Sequence, residues 1–115
     1  LANKQNMEEV LSNLITNAIN YTPEEGKIVV SARPEKHHLC ISVSDTGMGI
    51  EKEDLDRIFD RFYRVINEKT RYIIGTGLGL PIVKSIVEAH DGMIRVESKP
   101  DYGSTFYVYI PFMTP

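Results

Sequence analysis

The hydrophobic period changes along this chain, and that change limits the folds open to it. From Gln5 to Asn20 the apolar residues Met7, Val10, Leu11, Leu14, Ile15, Ala18 and Ile19 recur at helical spacing, one continuous stripe of an α-helix. Tyr21-Thr22-Pro23 ends it and Glu24-Glu25-Gly26 turns the chain. The period then falls to two. Ile28, Val30 and Ala32 alternate with Val29, Ser31 and Arg33, as in a strand covered on one face, and Leu39, Ile41 and Val43 alternate with Cys40, Ser42 and Ser44. Pro34-Glu35-Lys36 reads as the hairpin turn between them. After Asp45-Thr46-Gly47-Met48-Gly49 a short helix is predicted, with acids from Glu51 to Asp54 in its first turn and Leu55, Ile58, Phe59 and Phe62 on its apolar face. Residues Tyr63 to Gly79 hold no period and read as a long loop. A third helix follows, with Pro81 in its first turn, Ile82, Val83, Ile86 and Val87 inside, and Asp91-Gly92 as its cap. Strands Met93–Ser98 and Thr105–Ile110 close the chain around a turn at Pro100-Asp101-Tyr102-Gly103. Three helices with mostly hairpin-linked strands predict a two-layer α/β sandwich, a mixed, largely antiparallel sheet packed on the helices.

At 115 residues this is read as one domain, spanning 1–115, and its opening Leu1-Ala2-Asn3 as a fragment of a longer protein. The net charge of −3 provides no broad basic surface for nucleic acid or anionic lipid, so a polyphosphate ligand would need local groups. The single cysteine, Cys40, excludes an internal disulfide and a Cys-rich metal site, and suits a reducing compartment. No apolar run reaches the length needed to span a bilayer, so no membrane contact is expected of this segment.

Three polar features stand out from this scaffold. Asn6, Asn13, Asn17 and Asn20, with Glu9, fall in one arc of the first helix, because spacings of 4, 7 and 11 return near the same direction. A solvated face normally carries Glu, Lys or Gln, since Asn is a poorer helix former. Repeated Asn points to short neutral oxygens at a fixed place, of the kind that suits Mg²⁺. The second feature, Asp45-Thr46-Gly47-Met48-Gly49, lies where a strand gives way to a helix. It is either an Asx-type turn or a place where a base approaches the backbone and the carboxylate accepts from an exocyclic amine such as that of adenine. The third, Gly75-Thr76-Gly77-Leu78-Gly79-Leu80, opens a helix and offers free N–H groups to an anion. It is not a P-loop, since no Gly-Lys-Ser/Thr follows, and no βαβ unit surrounds it as a dinucleotide fingerprint requires.

The order Asn13-Leu-Ile-Thr-Asn17-Ala, Asp45-Thr-Gly-Met-Gly, Phe59-Asp-Arg-Phe62-Tyr-Arg64, Gly75-Thr-Gly-Leu-Gly-Leu and Gly103-Ser-Thr-Phe106 resembles the catalytic domain of sensor histidine kinases, from about Gln5 to Pro111. These segments correspond to that family's N box, first glycine box, F box, second glycine box and closing Gly-Ser/Thr turn. The resemblance implies a Bergerat-type fold that binds Mg-ATP and donates the γ-phosphoryl group to a histidine on a separate dimerisation domain of the same protein, with a response regulator downstream. It implies a cytoplasmic domain of a membrane-associated sensor. Alternatives of the same ancestry are a stand-alone serine kinase of the anti-sigma-factor type and a non-catalytic nucleotide-binding module.

By this resemblance Asn17 coordinates Mg²⁺ with Asn13 supporting it, Tyr21 packs on the nucleotide, and Asp45 accepts from adenine N6. Thr105 sits near Asp45 and helps to order a water on the base, Arg64 reaches the terminal phosphates, and Gly75, Gly77 and Gly79 admit them to the backbone. The nucleotide-binding set extends to Asn20, Gly47, Gly49, Ile50, Tyr63, Thr76, Leu78 and Leu80, with Asn13 and Arg64 in catalytic roles. Phe59 and Phe62 are expected to anchor the loop in the core, and residues 65–74 to close over bound ATP. Hydrolysing members of the wider superfamily carry a glutamate four residues before the metal-binding Asn. Here that residue is Asn13, so transfer to a protein is favoured over transfer to water. Where the family often has Lys, this chain has Asn20, which shifts phosphate charge onto Arg64 and possible partners Arg61, Lys69 and Arg71. His37, His38 and His90 lack the context of an acceptor histidine and are expected at the surface or in capping positions.

Overall fold

The computed structural model of the protein describes residues 4–63 and 79–111. Seven elements follow in the order α1 (Lys4–Tyr21), β1 (Ile28–Glu35), β2 (His38–Asp45), α2 (Lys52–Leu55), α3 (Gly79–Ala89), β3 (Met93–Lys99) and β4 (Gly103–Pro111). The strands form one sheet in the order β1-β2-β4-β3, and every pairing among them is antiparallel. Helix α1 packs against β2, α3 packs against β3 and β4, and the two helices pack on one another. The result is the two-layer α/β sandwich that the periodicity predicts.

Central strands carry the core. Along β4, Ser104, Phe106, Val108 and Ile110 are buried while the residues between them are half-exposed. Directly opposite on β2 stand Asp45, Val43, Ile41 and Leu39, and cross-strand partners of this kind share a face. Val10, Leu14 and Ala18 of α1 and Val83 and Val87 of α3 close over that face, with Ile58 at its edge. The Phe59 ring meets Phe106 edge-on, with centroids 6.4 Å apart. Cys40 is buried on the other side of the sheet, between Arg33 and Tyr109 on the ladder.

Several expectations are corrected here. Strand β1 is not covered on one face: it is the edge of the sheet, and all its residues but Ile28 are exposed, Val29 at 61% and Val30 at 46%. Its hairpin turns at Lys36-His37, later than predicted, with Lys36 in the left-handed region at φ 56°. Ile19, the last apolar residue of the α1 stripe, is 59% exposed, while its neighbour Ala18 is buried. Helix α2 is a single turn, and the chain continues from Asp56 to Phe62 in turns. Phe59 packs on the core as expected, but Phe62 is 69% exposed at a positive φ of 65° and, among the described residues, does not pack on the core. Helix α3 ends as its Asp91-Gly92 signal predicts. Asp91 takes φ 58°, its N–H bonds Glu88 O, and the Gly92 N–H reaches back to Val87 O, which satisfies the last carbonyls.

Burial ranks the stripe residues energetically. Leu14→Ala, at a fully buried site, is expected to cost about 2–5 kcal/mol. Ile19→Ala is expected to change stability by no more than about 0.5 kcal/mol. Chemical denaturation of both variants checks this, and equal losses would return Ile19 to the core.

Candidate functional site

The end of the sheet where β2 stops holds a buried carboxylate. Asp45 is 8% exposed, and its Oδ1 accepts the N–H of Gly47 at 2.9 Å and of Ser104 at 3.3 Å. Burial pushes the carboxyl above the usual carboxylate range, and these two N–H groups oppose the shift. Asp45 thus makes the Asx turn, and its carboxyl is a desolvated acceptor.

The loop after Asp45 is stitched on every side. Thr46 N–H bonds Lys27 O while Thr46 Oγ1 accepts Lys27 N–H; Met48 N–H bonds Tyr21 O at the end of α1. Asp101 N–H from the β3–β4 turn bonds Met48 O at 2.7 Å, and Ile50 N–H bonds Ser98 Oγ at 2.8 Å. The glycines serve this packing. A Cβ on Gly47 would lie 2.2 Å from Tyr21 O, and one on Gly49, at φ 71°, would lie 2.2 Å from Lys99 O. The room a Cβ would take at each of them is filled by the chain's own carbonyls. Tyr21 and Ile50 are partly buried around this loop.

Asn13 of the stripe lies beside Gly79, the last glycine of the second motif. Asn13 Nδ2 donates to Glu9 O one turn back at 2.9 Å. A Cβ on Gly79, the first residue of α3, would lie 3.3 Å from Asn13 Oδ1. An amide oxygen thus lies beside a helix N-terminus, where the dipole favours anions. Asn13 and Asn17 are half-buried on α1 and Asn20 is exposed. Among the described residues no three His, Cys, Asp or Glu side chains gather to hold a metal. A donor set of one or two amide oxygens fits Mg²⁺, which takes few protein ligands and completes its shell with phosphate and water.

Two assigned residues are not brought to the site. Thr105 is paired with Ser44, and its hydroxyl bonds Ser44 Oγ at 2.8 Å on the face opposite Asp45. Its neighbour Ser104 stands opposite Asp45 instead, because side chains alternate faces along β4. Tyr63 donates its hydroxyl to Asp54, and the Arg57 guanidinium lies 4.6 Å over its ring, so it belongs to the α2 turn. The bond to Asp54 raises the Tyr63 pKa. Ser98 and Ser104 are the residues that sequence reasoning missed; they join Asp45 in one ladder row, which only the strand register shows. Leu80 packs against the core at the start of α3. His37 lies in the hairpin turn, His38 begins β2, and His90 caps α3 through Nδ1–H to Ile86 O, as expected. Expectations for Arg64, residues 65–74, Lys69, Arg71, Gly75, Thr76, Gly77 and Leu78 lie outside the described residues.

A sequence model of the family described as histidine kinase-, DNA gyrase B-, and HSP90-like ATPase matches residues 2–114. The chain belongs to this family. Within it, the chain is 45% identical over 106 residues to the sensor histidine kinase WalK of Bacillus subtilis, covering 90% of this chain and 17% of that protein. It is 45% identical over 101 residues to the sensor-like histidine kinase SenX3 of Mycolicibacterium smegmatis, covering 88% of this chain and 26% of that protein. The chain therefore spans about a quarter or less of these relatives. Among solved structures, the catalytic domain of histidine kinase ThkA superposes with a TM-score of 0.81 at 33% identity, covering 96% of this chain and 69% of that one. Full-length ShkA in complex with AMPPNP gives a TM-score of 0.79 at 29% identity, covering 96% of this chain and 22% of that one. The fold is that of a histidine kinase ATPase domain.

The shift at Asp45 sets a pH signature for this ATPase domain. A carboxyl whose folded pKa is raised binds its proton more tightly folded than unfolded. Its contribution to stability is fully present below the unfolded value of 3.8 and is lost as pH rises through the folded pKa. Asp45→Asn keeps an oxygen for the Gly47 and Ser104 N–H groups and removes the buried charge. At neutral pH this variant is expected to be as stable as the parent or more so, with the difference shrinking in acid. Thermal unfolding across pH checks this, and a neutral-pH loss above roughly 1 kcal/mol, the typical worth of one hydrogen bond, would show that the charge itself holds the loop.

Proposed function

We propose that this domain binds Mg-ATP and donates its γ-phosphoryl group to a histidine on a dimerisation domain of the same protein, within a two-component signalling pathway. The observation that carries this reading is the Asn13–Gly79 juxtaposition at one end of a site whose other end is the buried Asp45. A metal-bound polyphosphate suits the first end and an amino-substituted base the second. The AMPPNP complex of ShkA and the sensor kinases among the relatives support both. Asn17 would hold Mg²⁺ with Asn13 beside it; the ion would neutralise charge on the phosphates. Arg64 and the residue 75–79 glycine motif would hold the terminal phosphates.

The chemistry left to the protein is positioning and charge neutralisation. In transfer, the acceptor imidazole nitrogen forms the bond to Pγ as the bond from Pγ to the β–γ bridging oxygen breaks and ADP departs. Asn13, an amide already donating to Glu9 O, has no basic group with which to activate water, so hydrolysis is slow. The acceptor helix, a response regulator and a membrane-associated sensor would complete the pathway on the cytoplasmic side. No described helix is long and apolar enough to cross a membrane.

Asn17→Ala is expected to weaken Mg-ATP by at least the roughly tenfold that a lost supporting contact costs a metal site, and metal-free ATP far less. Calorimetry showing equal losses would remove Asn17 from the metal. GTP, which meets Asp45 with a carbonyl, is expected to bind at least about tenfold more weakly than ATP, and equal affinities would remove Asp45 from the base.

The chain alone is expected to bind ATP without labelling itself. Mixed with the purified dimerisation domain, it should place acid-labile phosphate on that domain. Acid-stable phosphate on a partner's serine would overturn the histidine-kinase reading.

A further inference from the structure

Ile28, Asp45, Ser104 and Ser98 form one register row across all four strands, so the Ser98, Ser104 and Asp45 side chains share a face. Ser98 is the hub of this row. Its Oγ lies 2.8 Å from Ile50 N, 3.1 Å from Gly103 O and 2.8 Å from Ser104 Oγ.

A hydroxyl has one proton and two lone pairs. The Ile50 N–H can only donate and the Gly103 carbonyl can only accept. Ser98 therefore gives its proton to Gly103 O and takes the Ile50 N–H on one lone pair. The second lone pair is left for Ser104, whose hydroxyl must donate. Ser104 has then committed its only proton, and its oxygen faces the rest of the site as an acceptor. Asp45, next along the row and tied to Ser104 by the Ser104 N–H, accepts as well.

We propose that Ser98 is a positioning residue that sets hydrogen-bond polarity at the base end of the nucleotide site. By holding the Ser104 proton it makes Asp45 and Ser104 an acceptor-only pair, matched to the two protons of an exocyclic amine and mismatched to a 6-oxo purine. The same hydroxyl fixes the Gly47–Ile50 loop through Ile50 N–H. The inference rests on the assignment of Asp45 to the adenine amine.

ATP and ITP, which differ at the 6-position, are the probes. In the parent chain ATP is expected to bind more tightly by calorimetry. Ser98→Ala frees the Ser104 proton to meet a 6-oxo group, so the preference for ATP should narrow by about fivefold as ATP affinity falls. Ser98→Thr, which retains the hydroxyl, should restore it. If Ser98→Ala does not fold, the isosteric Ser98→Cys, whose thiol accepts poorly, should narrow the preference in the same direction. Equal losses for ATP and ITP in the hydroxyl-free variant would mean that Ser98 merely supports the loop, which overturns the inference and leaves the Asp45 assignment standing. Failure of Ser98→Thr to restore the preference has the same consequence. Equal affinity of the parent chain for ATP and ITP would instead overturn the Asp45 assignment, and this inference with it.

Discussion

A carboxylate taken out of water needs hydrogen-bond donors, and the way this chain supplies them to Asp45 organises the surrounding structure. Its Oδ1 draws in the N–H of Gly47, which bends the chain off the end of β2, and the N–H of Ser104, which belongs to the neighbouring central strand. The bend brings Gly47 against the carbonyl of Tyr21 and Met48 into hydrogen bonding with it, so the end of α1 is fixed to the end of the sheet. The same bend carries Gly49 to Lys99 and Met48 to Asp101, which fixes the β3–β4 turn. The glycine motif is thus first a structural joint, and its chemical use depends on that joint being rigid.

Periodicity made the layers readable because it reports which side of an element is apolar. It does not report where the element sits in the sheet. Val10, Leu14 and Ala18 were legible as core from helical spacing, and Phe106, Val108 and Ile110 from alternation. Val29 and Val30 follow equally good strand chemistry, yet they lie on an edge strand and are exposed, while α1 makes its sheet contacts on β2. Phe62 failed for a different reason. The four-residue α2 ends before the helical face it was assigned to, and the turns that follow rotate the ring outward.

At the site, Asp45 and Asn13 were legible because their residue types are unusual for their places: an acid at a strand end followed by glycines, and an asparagine inside a helical stripe. Thr105 and Ser104 differ by one position in a strand, and one position changes the face. Only the register of β2 against β4, a contact between distant parts of the chain, settles which hydroxyl stands beside Asp45. Ser98 was not legible at all, since a single serine on an amphipathic edge strand has no local signature. Its importance comes from three partners that lie five, six and 48 residues away in sequence.

The two ends of the site also differ in what holds them. The proposed base end is built on the sheet: Asp45, Ser104 and Ser98 sit on three hydrogen-bonded strands, and Ser104 N–H and Gly103 O, two of the backbone groups that fix their polarity, belong to β4. The Asn13–Gly79 end lies between two helices that meet through apolar side chains. Helices packed in that way can shift relative to one another at less cost than strands in one ladder, since dispersion contacts are non-directional and backbone hydrogen bonds are not. Such a division suits the proposed reaction. Recognition of a base requires fixed polarity, whereas presenting a phosphate to a separate domain requires that its surroundings adjust as the acceptor arrives. A net charge of −3 fits this arrangement, because amide oxygens, a helix dipole and a metal can hold the polyphosphate without a broadly basic surface.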